Sequence, residues 1–344
     1  MIRAAAIVFV IVLALLLGVP AAAQTVRIGV FGLFHPTELS VVPAPGSSLV
    51  MENDRETVTM NQPVHVRLAG GSMQLSVQGV WWRTTRVQFH ARDGGAAELV
   101  LSVPGKNHRR YRGTLEVLPD RSELVAIVTM DLEVAVASAV AAESPPGAPL
   151  EALKAQAVAT RSFLVARGSG HKLFDFCDTT HCQFVRQPPD ENSPAKRAAV
   201  ETRGMVLTYR AVPFSAMFAS SCGGRTKSLA ELGLPTRDYP YFAVDCPYCR
   251  RHAEPWTRKA PRAVQGERER LQLGREQGWS ALPGNHYEVK ETEEGVVMEG
   301  AGQGHGLGLC QKGAAGMAAE GKDFREILDH YYPNTVVRLG AALR

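Results

Sequence analysis

The chain has 344 residues, a net charge of +4, 45% hydrophobic and 21% charged residues. That balance is that of a globular protein with a sizeable core, not of a disordered or fibrous chain. The weak positive charge argues for no particular partner, and no basic block reads as a nucleic-acid surface.

Arg3 precedes an apolar run from Ala4 to Val19, then Pro20 and Ala21-Ala22-Ala23 before Gln24. A basic start, an apolar middle and a small-residue end predict a secretory signal peptide over residues 1–23, cut after Ala23. The run is short for a membrane span, and no later stretch is long and apolar enough for one. The expectation is an exported chain, in the periplasm or cell wall, without a stable membrane span after cleavage. About 320 residues remain, which suggests two domains or one large one.

Residues 24–111 read as a β-rich N-terminal region. Thr25–Gly32, Pro63–Leu68, Met73–Val80 and Ala97–Val103 alternate in polarity, and Gly, Pro and Asp punctuate them. Trp81-Trp82 suits a core, a rim or a sugar-stacking role. Residues 112–340 mix both element types, so the fold class is α+β. Leu124–Met130 is β-prone, and Asp131-Leu132-Glu133 opens a short helix over Val134–Ala142. Ser144-Pro145-Pro146 ends it, because a residue before proline is steered from helical angles. Glu143 is thereby placed at a helix C-terminus, where the partial negative charge favours its protonated form.

Pro149 suits the first turn of a helix running Leu150–Arg167. Leu150, Leu153, Ala157, Thr160 and Leu164 mark one buried face. Lys154 and Arg161 share a side, and Gln156 falls elsewhere. Further on come a helix over Pro194–Thr202, strands over Met205–Tyr209 and Pro213–Ala219, and a charged helix over Arg262–Gln277. A hairpin about Glu293-Glu294-Gly295 and two short closing helices, Lys312–Glu320 and Phe324–Tyr332, complete the chain.

All six cysteines lie in the second half. His171, Cys177, His181 and Cys182 give the ligand set of a structural zinc site; a Cys177–Cys182 disulfide is the competing reading. Cys246, Cys249 and His252, with Cys222 or Cys310, admit a second metal site or disulfides.

Four stretches act together: AAESP at 141–145 with PLEALKAQAVATR at 149–161, ASSCGGRT at 219–226, GHGLGLCQKGA at 304–314, and HYYPNT at 330–335. In kind and order they resemble the SpoIID/LytB family over roughly residues 112–340. Ser144 and Cys310 depart from the family's methionine and serine. The resemblance implies a wall-facing protein acting on peptidoglycan. One branch resembles lytic transglycosylases that cut glycan strands stripped of stem peptides; another is linked to stimulating a separate cell-wall amidase. It places the catalytic glutamate on Glu143. It puts Lys154, Gln156, Arg161, Ser220, Ser221, Arg225, His305 and Gln311 in the matched motifs as candidate glycan contacts. Some members carry zinc in the loop that here holds His171–Cys182, in a structural role; the chemistry itself requires no cofactor.

Overall fold

Residues 24–166, 170–236, 238–264 and 266–340 are described by the structure, a computed structural model. The expected signal peptide and the Arg167 end of the second helix lie outside them. Among the described residues, no helix is long and apolar enough to cross a membrane.

Among the described residues, eleven strands precede the first α-helix: β1 (Thr25–Val30), β2 (Glu38–Pro43), β3 (Leu49–Asn53), β4 (Thr57–Met60), β5 (Val64–Ala69), β6 (Ser72–Val77), β7 (Val80–Thr84), β8 (Val87–His90), β9 (Ala97–Val103), β10 (Asn107–Asp120) and β11 (Glu123–Asp131). Their buried positions alternate, as one-sided burial of a pleated strand requires: Leu99, Leu101 and Val103 in β9, then Tyr111, Leu115 and Val117 in β10. β10 organises the sheet. Asn107–Gly113 pairs with β9, whereas Thr114–Asp120 pairs with β11, and Leu115–Val117 also with β8. The sheet therefore curls about β10, with β9-β2-β5-β6-β7 as one arm and β11-β1 and β8-β3-β4 as the others. Gly113 stands where β10 changes partners. A Cβ there would lie 2.4 Å from the Thr129 carbonyl oxygen, so the close approach requires glycine. The line drawn between residues 111 and 112 from sequence falls inside this strand. Leu39, Val41, Leu75, Phe89, Leu99 and Leu115 belong to the core inside the curl. Each such side chain contributes about 1.5–3 kcal/mol on burial.

β11 feeds α1 (Leu132–Glu143), and α2 (Leu150–Val165) follows after a proline-rich bend. Pro149 is the N-cap of α2 and not its first helical residue. Then come β12 (Phe176–Cys177), α3 (Pro194–Glu201), β13 (Met205–Tyr209), β14 (Val212–Pro213), β15 (Phe218–Ala219), α4 (Pro247–Arg251), β16 (Pro255–Ala260), α5 (Gly266–Gln277), β17 (His286–Thr292), β18 (Gly295–Ala301), β19 (Leu309–Cys310), α6 (Gln311–Ala319), α7 (Phe324–Tyr331) and β20 (Val336–Leu339). The fold is α+β, as the sequence predicts. β16, the third strand of a small antiparallel sheet with β17 and β18, carries no sequence signal of its own. The strand expected over Pro213–Ala219 is interrupted. Tyr241 Oη donates to the Ser215 carbonyl and accepts from Met217 N–H, taking the place of a strand neighbour.

α2 is the wall between two cores. Leu153, Ala157 and Leu164 pack into the sheet's core. Ala152, Ala155, Val158 and Ala159 pack into a second core with Phe214, Leu309, Ile327, Tyr331 and Tyr332. The single buried face predicted from periodicity is thus only half of what is covered. Small side chains all round α2 let it be packed on every side.

Candidate active site

α1 is capped at its start by the Asp131 side chain, which accepts from Glu133 N–H at 2.8 Å and Val134 N–H at 3.3 Å. It ends at Glu143 because Ser144, before Pro145, is extended (φ −74°, ψ 143°). The half-buried Glu143 carboxyl then meets a segment 41 residues onward: its Oε1 accepts from Phe184 N–H at 2.7 Å. Burial holds the Glu143 pKa above the usual carboxylate range, while the Phe184 N–H and the Arg186 charge pull against that rise. Desolvation is therefore the main cause, where the sequence pointed to the helix end.

The main chain at Glu143 is held by one side chain, Gln311, which Gln156 and Ser144 steady in turn. Gln311 Nε2 donates to the Glu143 carbonyl at 2.9 Å and to Gln156 Oε1 at 3.2 Å, and Ser144 Oγ donates to the same Gln156 oxygen at 2.9 Å. Gln156 and Gln311 are buried. Three of the sequence motifs thus converge on one residue, with the two glutamines acting as its supports.

The other candidate contacts divide. Lys154 and Arg161 do share a side of α2, and that side faces α3. Lys154 Nζ pairs with Glu151 at 2.7 Å and Glu201 at 2.6 Å. Arg161 is fully buried: it pairs with Glu133 at 2.6 and 2.9 Å and donates to the carbonyls of Met205 and Ala199. Neither is brought to the Glu143 carboxyl.

The 219–226 turn and the 302–311 loop form one unit. β15 and β19 pair in parallel, Phe218 with Leu309 and Ala219 with Cys310. Ser221 and Gln303 exchange backbone hydrogen bonds, and Lys312 N–H donates to the Ser220 carbonyl at 3.1 Å. Gly308, at φ +65°, would carry a Cβ 2.1 Å from the Met217 carbonyl oxygen, so this pairing requires glycine. His305 Nδ1 accepts from Leu307 N–H at 3.0 Å, and burial lowers its pKa, which keeps the ring neutral. Arg225 pairs with Glu231 at 2.6 Å and is partly exposed. Since Gln311 follows β19 directly, this unit is what carries Gln311 to Glu143.

Sequence reasoning missed the polar cluster on the other side of the carboxyl. Asp178 accepts from Arg109 of β10 and from Phe31 N–H, and Arg186 donates to the Asp178 carbonyl at 2.9 Å. The Arg186 guanidinium lies 3.4 Å from the Phe184 ring centroid. Nothing in Cys182-Gln183-Phe184-Val185-Arg186 has a recognisable spacing, because its role comes from a backbone N–H and a fold contact.

The Cys/His cluster straddles β12, with His171 before it, Cys177 at its end, and His181 and Cys182 between it and Phe184. One ligand atom from each of His171, Cys177, His181 and Cys182 lies within 4.8 Å of all the others. The two sulfurs are 2.8 Å apart, longer than the roughly 2.05 Å of a disulfide, and both cysteines are unbridged. The Cys177 thiol is brought down to about 4, first by the Cys182 thiol and then by Thr179 and the histidines. Two thiols and two imidazoles gathered in one place are the donor set of a structural zinc site. β12 pairs with β1, Cys177 opposite Gly29, so the cluster is anchored to the sheet.

His252, by contrast, is exposed and stacked on Tyr248, away from Cys246 and Cys249. One surface depression, where β10, α1 and the 188–191 segment meet, is lined by Tyr111, Val134, Pro189 and Lys196, and another is lined by Asp131, Glu133, Val134, Lys196 and Arg203; neither of these two includes Glu143.

Comparison with known proteins finds a match to the family described as SpoIID, Stage II sporulation protein, over residues 120–209. An uncharacterized protein of Brachyspira hyodysenteriae is 27% identical over 272 residues, covering 66% of this chain and 72% of that one. Stage II sporulation protein D of Bacillus subtilis is 26% identical, covering 62% of this chain and 76% of its own. The protein of that name from Bacillus amyloliquefaciens is also 26% identical, covering 60% and 74%.

Proposed function

The chain belongs to the SpoIID family, with the cell-wall-related role this carries, and from that premise we propose that it cuts peptidoglycan glycan strands by lytic transglycosylation, with Glu143 as acid and then base. The observation that supports this most is the Glu143 carboxyl itself: a half-buried acid with a raised pKa, oriented by Phe184 N–H and held at its main chain by Gln311.

In this reading the protonated Glu143 gives its proton to the glycosidic oxygen as the C1–O bond breaks. The positive charge left at C1 is quenched by the same sugar's 6-hydroxyl, forming a C1–O6 bond. The hydroxyl proton returns to Glu143, so no water and no second carboxylate are consumed, unlike ordinary glycoside hydrolysis. Burial favours the acid before the first transfer; Phe184 N–H and the Arg186 charge favour the carboxylate after it. Ser220, Ser221, Arg225 and His305 serve this site by shaping or lining the glycan path beside Gln311.

His171, Cys177, His181 and Cys182 would hold a structural zinc in this reading, which would fix their loop and supply no reaction step, because four protein ligands leave no open position. What the loop fixes is Phe184, hence the aim of the carboxyl. The proposed setting is outside the cytoplasm, on glycan without stem peptides.

A second reading, a wall-binding protein that stimulates a separate amidase, has the same family resemblance behind it. Incubation with purified denuded glycan separates the two. Transglycosylation gives 1,6-anhydro ends, one water lighter than hydrolytic ends by mass spectrometry. The non-catalytic reading gives no new chain ends and faster stem-peptide release when an amidase is added.

A further inference from the structure

Four cysteines from three distant stretches meet inside the second core. Cys222 lies in the turn after β15, Cys246 and Cys249 flank the start of α4, and Cys310 ends β19. All four are buried, at 1–3% exposure. One sulfur from each lies within 4.8 Å of the other three. None is bridged, and the Cys249 and Cys310 sulfurs are 3.4 Å apart. We propose that Cys222, Cys246, Cys249 and Cys310 form a tetrathiolate zinc site that locks the 219–226 turn, the start of α4 and the 302–311 loop together.

The groups around the sulfurs argue for thiolates and not for four thiols in an apolar core. Cys222 N–H and Gly313 N–H both point at Cys310 Sγ, at 3.3 and 3.4 Å. An amide N–H can only donate, so this sulfur is an acceptor twice over. Tyr331 Oη lies 3.3 Å from Cys246 Sγ, and Ser221 Oγ lies 3.6 Å from Cys249 Sγ. Such outer partners orient ligand sulfurs and stabilise their charge. Four buried thiolates without a cation would be prohibitively costly, whereas a divalent ion cancels half of that charge and bonds each sulfur. Zinc–sulfur bonds of about 2.3 Å in a tetrahedron put sulfurs about 3.8 Å apart, a spacing this cluster accommodates. Packing makes room as well: a Cβ on Gly313 would stand 2.5 Å from Cys246 Sγ.

The site has a structural consequence. Cys310 immediately precedes Gln311, whose amide holds the Glu143 carbonyl. A metal bonded to Cys310 would fix the N-terminus of α6, and with it Gln311. The inference stands on the cysteines alone and does not depend on the reaction.

The test uses the full chain purified without chelator. In the Cys177→Ser/Cys182→Ser variant, which removes the thiols of the other cluster, one zinc per chain should remain, with four sulfur ligands by X-ray absorption. Cobalt exchange should give the strong sulfur-to-metal charge transfer of a tetrathiolate, and added Cys222→Ser should abolish it. Should that variant fail to fold, the wild type decides: its zinc must average more than two sulfurs, because the other cluster supplies only two. The proposal is overturned by zinc with no more than two sulfurs, by four titratable thiols with no bound metal, by a mass showing two disulfides among these cysteines, or by bound iron in place of zinc.

Discussion

Phe184 N–H donates to Glu143 Oε1 at 2.7 Å, joining the end of α1 to the stretch that follows the Cys/His cluster. A carboxyl held by one amide keeps its other oxygen available, and its burial keeps the proton on it to higher pH than in water. The stability consequence has a definite sign. Glu143's folded pKa lies above its unfolded one, so its contribution is complete below the unfolded value and is lost as pH rises through the folded value. Glu143→Gln keeps an oxygen for Phe184 and carries no charge. It should therefore melt higher than the wild type at neutral and alkaline pH, and this advantage should vanish at acid pH. Thermal melts across pH check this; an advantage that persists unchanged into acid would contradict it.

Arg186 lowers the Glu143 pKa through its charge. Arg186→Gln should raise that pKa further and move the alkaline fall of the cleavage rate to higher pH. A pH–rate profile of the variant reads the shift directly. Movement of the limb to lower pH would mean that Arg186 does not act on Glu143 electrostatically.

Arg161 and Lys154 lie on the same helix face but differ in consequence. Arg161→Met would leave Glu133 without its buried partner, a loss on the order of 3–5 kcal/mol, seen as a lower denaturation midpoint. Lys154→Ala, whose acidic partners both keep access to water, should cost no more than about 1 kcal/mol. Equal losses in urea melts would refute this division between a structural cation and a surface one.

Gln311→Ala removes the donor on the Glu143 carbonyl and one of the two donors on Gln156 Oε1. A cost of about 1–3 kcal/mol in stability is expected. Since a small misplacement of an acid can cost about a hundredfold in rate, kcat should fall by at least tenfold with KM little changed. A rise in KM at unchanged kcat would instead make Gln311 a glycan contact.

Much of this was legible from the residues. Ser144 before Pro145 places Glu143 at the end of α1, and strand alternation makes the first half β-rich. The Cys/His cluster was visible because its ligands sit within twelve residues of each other. Other features were not. The second face of α2 hid because alanine reads as neutral until a partner covers it, and Arg161 looks like any solvated helical cation until Glu133 closes on it. Arg186 and Phe184 act through a fold contact and a backbone N–H, which no side-chain pattern encodes. The four-cysteine cluster was legible in part, as Cys246 and Cys249 with either Cys222 or Cys310; only the pairing of β15 with β19 brings Cys222 and Cys310 there together. Sequence proximity had suggested His252 in that group, and the fold leaves it outside.

The most direct measurement of the central claim compares wild type and Glu143→Gln on denuded glycan strands, counting 1,6-anhydro ends by mass spectrometry at equal, folded concentrations. Anhydro ends should accumulate with time in the wild type and fall by at least a hundredfold in the variant, the scale of a lost general acid. Undiminished cleavage by Glu143→Gln would contradict that claim.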